Sequence, residues 1–159
     1  MSTIDKLCQE LGQKLIGRGY CVTTAESCTG GGIAQAITDI AGSSQWFSHG
    51  FVTYSNQAKQ QLLAVPESLF LEHGAVSQAV AEAMVEGAIN TANADLGVAV
   101  SGVAGPGGGS QEKPVGTVWI AWKLKNNPVK SRCYLFSGNR KSIRNQSVTE
   151  SLTGLIQAL

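Results

Sequence analysis

Two glycine-rich segments, each placed directly after a strand-like segment, constrain the fold of this chain more than any other feature. Residues 20–25 are rich in β-branched and aromatic types, which predicts a strand, and the small-residue segment 26–32 (ESCTGGG) follows at once. Residues 33–40 then repeat apolar side chains at helical spacing. Later, 95–101 (DLGVAVS) predicts a buried strand, and 102–114 contains five glycines and two prolines. Because ligands bind at the carboxyl ends of strands in α/β sheets, we expect both segments to meet at one edge.

The rest of the chain continues to alternate helical and extended patterns. Ser2 and Asp5 form a predicted capping box that opens the first helix, which Gly17 and Gly19 end. Further strands are predicted at 46–54, 115–125 and 129–136, and further helices after Ser55, from Pro66 to Gly74, from Ser77 to about residue 93, and from Arg140 to residue 159. We therefore predict an α/β fold of three α/β/α layers, with a mixed, mainly parallel sheet and an antiparallel C-terminal hairpin.

Length and charge restrict the classes of function. The 159 residues fit a single domain spanning 1–159. A net charge of +1 without a basic run predicts no nucleic-acid partner, and no apolar stretch is long enough for a membrane span, so no membrane partner is expected either. The N-terminus lacks the apolar region of a signal peptide, which favours a cytoplasmic protein. The low charged content of 14% hints at a subunit interface, and hence at a homo-oligomer.

Cysteines and histidines give no pattern of a metal or redox centre. Cys8, Cys21, Cys28 and Cys133 match no zinc or dithiol spacing, and there are only two histidines. We interpret the cysteines as free and mostly buried thiols, and we predict no structural metal.

Ser27 is the first candidate for chemistry, because it lies between a predicted strand and a predicted helix start. The N–H groups of residues 28–31 would stabilise an oxyanion beside it. The alternative is that Ser27 only caps the helix, and the local sequence favours this alternative. Cys28 is a rival nucleophile if the helix start lowers the pKa of its thiol. A small buried side chain is the simpler interpretation, since no histidine is evidently placed to partner Cys28.

A serine nucleophile needs a base, and the sequence offers Lys59, with Tyr54 as a relay. Tyr54 ends a predicted strand and Lys59 lies in the helix that follows, so both can lean over one pocket. Burial lowers the pKa of a lysine and makes it a base. The alternative is an ordinary solvated lysine, which most lysines are.

Two further features favour the binding of an anion. The loop 101–110 (SGVAGPGGGS) has backbone N–H groups that would cradle a phosphate, although it matches no Walker or dinucleotide-binding pattern and such loops are commonly only turns. Arg140 and Arg144 lie one turn apart at the start of the last helix. They are equally well interpreted as a phosphate-binding pair or as surface ion-pair formers.

Taken together, six ordered segments resemble the signature of the CinA C-terminal family, the nicotinamide-nucleotide amidohydrolases. They are 23–31 (TTAESCTGG), 50–59 (GFVTYSNQAK), 73–77 (HGAVS), 101–109 (SGVAGPGGG), 113–117 (KPVGT) and 136–144 (FSGNRKSIR). The resemblance implies a mixed α/β/α fold and the hydrolysis of nicotinamide mononucleotide to nicotinate mononucleotide and ammonia, a step of pyridine-nucleotide salvage. It implies no metal or organic cofactor, and family members are commonly oligomeric.

The resemblance also assigns roles to residues. Ser27 would be the nucleophile, and Tyr54 and Lys59 would assist proton transfer. The substrate would be bound by Thr29, Gly30 and Gly31 around the amide, by Ser101, Gly102, Gly105 and Gly107 around the ribose phosphate, and by Arg140 at the phosphate. Where the family often has an acidic residue before that arginine, this chain has Asn139. The rival hypotheses are an inactive nucleotide-binding module and an oligomeric interaction module of the same fold.

Overall fold

The computed structural model describes all 159 residues and places five strands in one mixed sheet. The helices are α1 (Thr3–Arg18), α2 (Gly32–Thr38), α3 (Asn56–Leu63), α4 (Glu67–His73), α5 (Gln78–Ala92) and α6 (Arg140–Gln157). The strands are β1 (Val22–Glu26), β2 (Phe47–Val52), β3 (Leu96–Gly102), β4 (Thr117–Leu124) and β5 (Lys130–Leu135). A short 3-10 helix at Ser43–Gln45 precedes β2.

The strand order is β2-β1-β3-β4-β5. β1 pairs in parallel with β2 and with β3, whereas β3–β4 and β4–β5 are antiparallel, so β4 is the one reversed strand. The chain leaves β1 toward β2 on one side and leaves β3 toward β4 on the other. The carboxyl ends of β1 and β3 therefore form a switch point, the position at which open α/β sheets bind ligands. The predicted α/β architecture, with its C-terminal hairpin, is confirmed.

Helices cover both faces of the sheet, and the alternation of side chains along the strands fills two cores. Leu96, Val98 and Val100 of β3 pack in the larger core with α1, α2 and α6. Ala99, between them in sequence, packs on the opposite face against α5. Because β3 is buried on both faces, its sequence is a nearly continuous apolar run, which is typical of a central strand.

Local sequence signals set the helix ends. The Ser2–Asp5 capping box is present, and α1 ends at Gly19, whose φ of +66° suits glycine, while Gly17 lies inside the helix. Ser55 and Ser77 cap α3 and α5 through their side chains, as predicted. Strand bounds differ from the predicted ones by one or two residues at each end, because the local pattern does not show where ladder pairing stops. None of the helices has the length and apolarity required to cross a membrane.

Candidate active site

A cavity of about 340 Å³ opens at the carboxyl edge of the sheet, where the loops after β1, β2 and β3 converge. The start of α6 and the segment between α4 and α5 complete its wall. The residues that line it are Ser27, Cys28, Tyr54, Asn56, Lys59, Ala75, Val76, Ser101, Gly102, Val103, Ala104, Gly105, Gly107, Gly108 and Arg140. The two glycine-rich segments thus meet at one edge, as expected from the sequence.

Ser27 lies at the carboxyl end of β1, fixed by its main chain and paired through its side chain. Its N–H donates to the carbonyl of Val100 at 3.0 Å, which continues the pairing of β1 with β3. Its Oγ accepts a hydrogen bond of 3.1 Å from Lys59 Nζ. The side chain does not cap α2, which begins after Gly31 without a side-chain cap. The capping alternative for Ser27 is therefore wrong.

Lys59 is buried, with only 2% of its surface exposed, and Ser27 Oγ is the one hydrogen-bond partner of its amine. Burial lowers the pKa of Lys59, because the charged form loses its hydration and gains no carboxylate in return. The solvated-lysine alternative is wrong for this residue. A neutral amine at 3.1 Å from a hydroxyl can accept its proton.

Cys28, beside Ser27, is buried in the larger core with 6% of its surface exposed. Burial raises the pKa of its thiol to about 12, opposite to the lowering that a helix start alone would cause. A thiol with this pKa is protonated at neutral pH and is a poor nucleophile. The structure therefore favours the interpretation of Cys28 as a small core side chain.

Tyr54 and Arg140 form a second pair at the mouth of the cavity. Arg140 Nη2 donates to the Tyr54 hydroxyl at 3.0 Å, and Arg140 Nη1 donates to the Gly105 carbonyl at 2.7 Å. Tyr54 is 62% exposed and makes no hydrogen bond to Ser27 or Lys59. Lys59 is the one side chain that hydrogen-bonds the Ser27 hydroxyl, so a relay through Tyr54 would require the phenol to move.

The loop after β3 approaches the cavity through its main chain. Ser101 is buried, and its Oγ donates to the Ala75 carbonyl at 2.8 Å, which ties β3 to the segment before α5. Gly102 and Gly105 have no room for a side chain: a Cβ would lie 2.7 Å from Val118 Cγ2 and 2.5 Å from Val115 Cγ1, respectively. Small residues are therefore needed to bring this backbone to the cavity.

Thr29, Gly30 and Gly31 were expected around the same cavity, and the structure places them outside its lining. Thr29 is buried with its hydroxyl unpaired, and Gly30 lies against the guanidinium of Arg144. Their predicted place around the substrate amide therefore stays a prediction.

The sequence did not predict two side-chain contacts that shape the Ser27 loop, those of Glu26 and Arg144. Glu26 is buried, and its carboxylate accepts hydrogen bonds from the N–H groups of Ile33 and Ala34 at 2.9 and 3.0 Å, so it caps α2 from outside the helix. Arg144 donates to the carbonyls of Cys28 and Thr29 and forms no ion pair, and neither interpretation of the Arg140–Arg144 pair included this contact. An acidic residue before a glycine-rich helix start is a sequence signal by which Glu26 could have been identified. The contact of Arg144 across the fold leaves no such signal.

Asn56 also lines the cavity, three residues before Lys59 on α3, and was not singled out from sequence. Asn139 has a structural role. Its Oδ1 accepts from the Ser142 N–H at 2.9 Å and caps α6, with no contact to the Arg140 guanidinium. Asparagine caps a helix as well as aspartate does, so the replacement leaves the helix start intact.

The comparisons with known proteins agree along nearly the whole chain. The profile of the family described as the CinA C-terminal domain matches residues 4–159. A protein of Escherichia coli (strain K12) named nicotinamide-nucleotide amidohydrolase PncC is 51% identical over 98% of this chain and 94% of its own length. A protein of the same name from Pseudomonas putida is 55% identical over 99% of this chain and 98% of its own.

A solved structure shows the same architecture. The crystal structure of the competence/damage inducible protein CihA from Agrobacterium tumefaciens superposes with a TM-score of 0.96 at 43% identity, covering 99% of this chain and 96% of that one.

Proposed function

The chain belongs to the CinA C-terminal domain family, and on that premise we propose that it hydrolyses nicotinamide mononucleotide to nicotinate mononucleotide and ammonia with Ser27 as the nucleophile. It is an amidohydrolase of the nicotinamide-nucleotide class, since relatives of that name match it over nearly their full length. The observation that carries the choice of nucleophile is the 3.1 Å hydrogen bond between the buried Lys59 amine and Ser27 Oγ.

In the first half of the reaction, the Ser27 hydroxyl gives its proton to Lys59 Nζ while Oγ attacks the carboxamide carbon. The tetrahedral intermediate then collapses: the C–N bond breaks, and the ammonium of Lys59 returns the proton to the leaving nitrogen, which departs as ammonia. The product on the protein is an ester of Ser27. An amide is a poor electrophile, and dividing its hydrolysis into two steps lowers each barrier.

In the second half, water attacks the ester carbonyl and gives a proton to the same lysine. The C–Oγ bond breaks, Ser27 regains its proton from Lys59, and the product leaves as a carboxylic acid that loses its proton to the solvent. One base serves both halves, which requires an amine that is neutral at rest. The lowered pKa of Lys59 supports this requirement.

The phosphate of the nucleotide is proposed to bind at the other end of the cavity, against Arg140 and the loop that carries Ser101, Gly102, Gly105 and Gly107. The Arg140 guanidinium already donates to a carbonyl and a phenol there, so a phosphate would exchange with the Tyr54 hydroxyl as its partner. Binding energy from the phosphate would position the distant carboxamide. We place Tyr54 as a partner of Arg140 in the resting state and as a proton relay only after it moves.

The proposed activity fits pyridine-nucleotide salvage, where the amide nitrogen of a spent nucleotide is released. The predicted cytoplasmic location and homo-oligomeric state stay predictions. An inactive nucleotide-binding module and an oligomeric interaction module are the rival functions, and both are outcomes of the test below.

The deciding experiment is ammonia release from nicotinamide mononucleotide by the purified protein and by its Ser27→Ala variant, with calorimetric binding of the nucleotide to both. We expect release by the wild type alone and binding by both. Ammonia release by both the wild type and Ser27→Ala would show that Ser27 is not the nucleophile. Binding without release by the wild type would establish a binding module, and neither binding nor release would favour an interaction module.

A further inference from the structure

Arg144 contacts the main chain of the Ser27 loop through two atoms of its guanidinium group. Nε donates to the Cys28 carbonyl at 3.0 Å, and Nη2 donates to the Thr29 carbonyl at 3.1 Å. The side chain comes from the second turn of α6, so two consecutive peptide groups of the loop are fixed from a distant element. A planar guanidinium group is well suited to hold two neighbouring acceptors in one orientation.

This orientation determines where the N–H groups after Ser27 point. A trans peptide is planar, with its C=O and N–H on opposite sides, so the Thr29 N–H points away from Arg144. The neighbouring donors are occupied within the protein: Ser27 N–H bonds to Val100, and Gly30 N–H bonds to the Ser27 carbonyl. The Thr29 N–H has no acceptor in the protein. It is a free donor two residues after the proposed nucleophile.

The loop is also shaped to admit the guanidinium group. Gly30 has a φ of +60°, and a Cβ there would lie 3.0 Å from Arg144 Nη2. Glycine at this position lets the arginine lie flat against the backbone without strain. At the other end of the loop, the Glu26 carboxylate fixes the first turn of α2. The loop is therefore held from both sides by charged side chains.

We propose that Arg144 is a positioning residue for the reaction at Ser27. By holding the Cys28 carbonyl, it keeps the Thr29 N–H of the same peptide group directed at the oxyanion that forms when Ser27 attacks the amide. The positive charge also polarises this peptide group, which makes the Thr29 N–H a stronger donor. This inference rests on the proposed hydrolysis, and it concerns a residue that touches neither the substrate nor the nucleophile.

The test compares Arg144→Ala and Arg144→Lys with Lys141→Ala, a matched control on the exposed side of the same helix. We expect Arg144→Ala to lower kcat about 100-fold with little change in KM, since loss of one oriented oxyanion donor has an effect of about this size. Arg144→Lys should recover part of the loss. Millimolar guanidinium, added to the Ala variant, should restore activity with saturation. Lys141→Ala should match the wild type.

Several outcomes would overturn the inference. They are an unchanged kcat in a folded Arg144→Ala variant, or a loss that appears mainly in KM and does not respond to guanidinium. If the Ala variant does not fold, as judged by circular dichroism, the split between kcat and KM in Arg144→Lys decides.

Failure of the proposed function itself is distinguishable. If the wild type releases no ammonia, the variants are compared by labelling Ser27 with a fluorophosphonate. This labelling reaction also passes through an anionic adduct at phosphorus, because the bond between Ser27 Oγ and phosphorus forms as fluoride leaves. Slower labelling in Arg144→Ala, restored by guanidinium, supports the positioning role, and equal labelling rates overturn it.

Discussion

The buried amine of Lys59 lies 3.1 Å from the hydroxyl of Ser27, and neither group has another side-chain partner. The two residues are 32 positions apart and come from different elements, the end of β1 and the second turn of α3. The protein excludes the solvent that would keep the lysine charged. The amine can therefore act as a base toward the hydroxyl that it contacts.

Lys59→Met should strongly lower turnover and raise stability at neutral pH. Removal of the base should lower kcat at least about 100-fold. The stability gain follows from the sign of the pKa shift: the folded-state pKa of Lys59 is lowered, so the folded wild type binds fewer protons than the unfolded chain between the two values. Wild-type stability therefore rises with pH in that range, up to about 10.5 where the unfolded lysine deprotonates, and it is reduced at lower pH.

The measurement is thermal unfolding of both proteins from pH 6 to pH 11 (about five pH units, spanning the ordinary lysine pKa). The difference in Tm should be largest at the low-pH end of this range and shrink toward the alkaline end. A difference that does not depend on pH would contradict the desolvation of Lys59. The kcat of the wild type should rise with pH through the lowered pKa of Lys59. The residual kcat of Lys59→Met should not show this rise.

Cys28→Ala should keep most of the activity. The thiol is protonated below its pKa of about 12, so it neither competes with Ser27 nor places a negative charge near Lys59 at neutral pH. Removal of a small buried group should reduce the free energy of unfolding by about 1 kcal/mol. Steady-state kinetics and denaturant unfolding test both statements. Loss of activity equal to that of Ser27→Ala would instead indicate that the thiol takes part in the reaction.

Arg140→Ala should act mainly on substrate binding. A charged hydrogen bond to phosphate contributes about 1.5–3 kcal/mol, which corresponds to a KM raised roughly 10- to 100-fold. kcat should change less, because Arg140 lies with Tyr54 and Gly105 at the cavity mouth and does not contact Ser27 or Lys59. Tyr54→Phe is the matched control, since it removes the phenol partner of Arg140 while the hydrogen bond to the Gly105 carbonyl remains. An unchanged KM in Arg140→Ala would remove this residue from the phosphate site.

Much of the fold follows from local sequence. The Ser2–Asp5 capping box, the Ser55 and Ser77 caps and the hairpin around residues 125–129 are formed by near neighbours, and all were predicted. The order of strands and helices also placed both glycine-rich segments at one edge of the sheet. These features depend on periodicity and turn chemistry, which a sequence displays directly.

Only part of the site could be predicted from local sequence in this way. Ser27 and Lys59 were candidates, but their contact and the burial of the amine depend on how α3 packs, and the local pattern favoured a cap and a solvated lysine. Arg144 was a candidate for phosphate, yet it binds carbonyls of a loop more than 100 residues away. Long-range pairing of this kind leaves no periodic signal, so packing decides the function of each residue.

The packing of α3 can be tested through Gly87, which lies on α5 beneath the end of that helix. A Cβ at residue 87 would come within 1.9 Å of the Leu63 carbonyl oxygen, so Gly87→Ala must push α3 away. Overpacking of this kind should reduce the free energy of unfolding by about 1–3 kcal/mol. Because α3 also carries Lys59, kcat should fall while KM changes little.

Gly17→Ala is the matched control, since it makes the same substitution inside α1, where a Cβ would meet nothing within 4 Å. There the methyl group should raise stability by about 0.5–1 kcal/mol through the helix propensity of alanine, with activity unchanged. Denaturant unfolding and steady-state kinetics on both variants separate the two effects. If Gly87→Ala were as stable and as active as the wild type, the close approach of α3 to α5 would not be what holds Lys59 against Ser27.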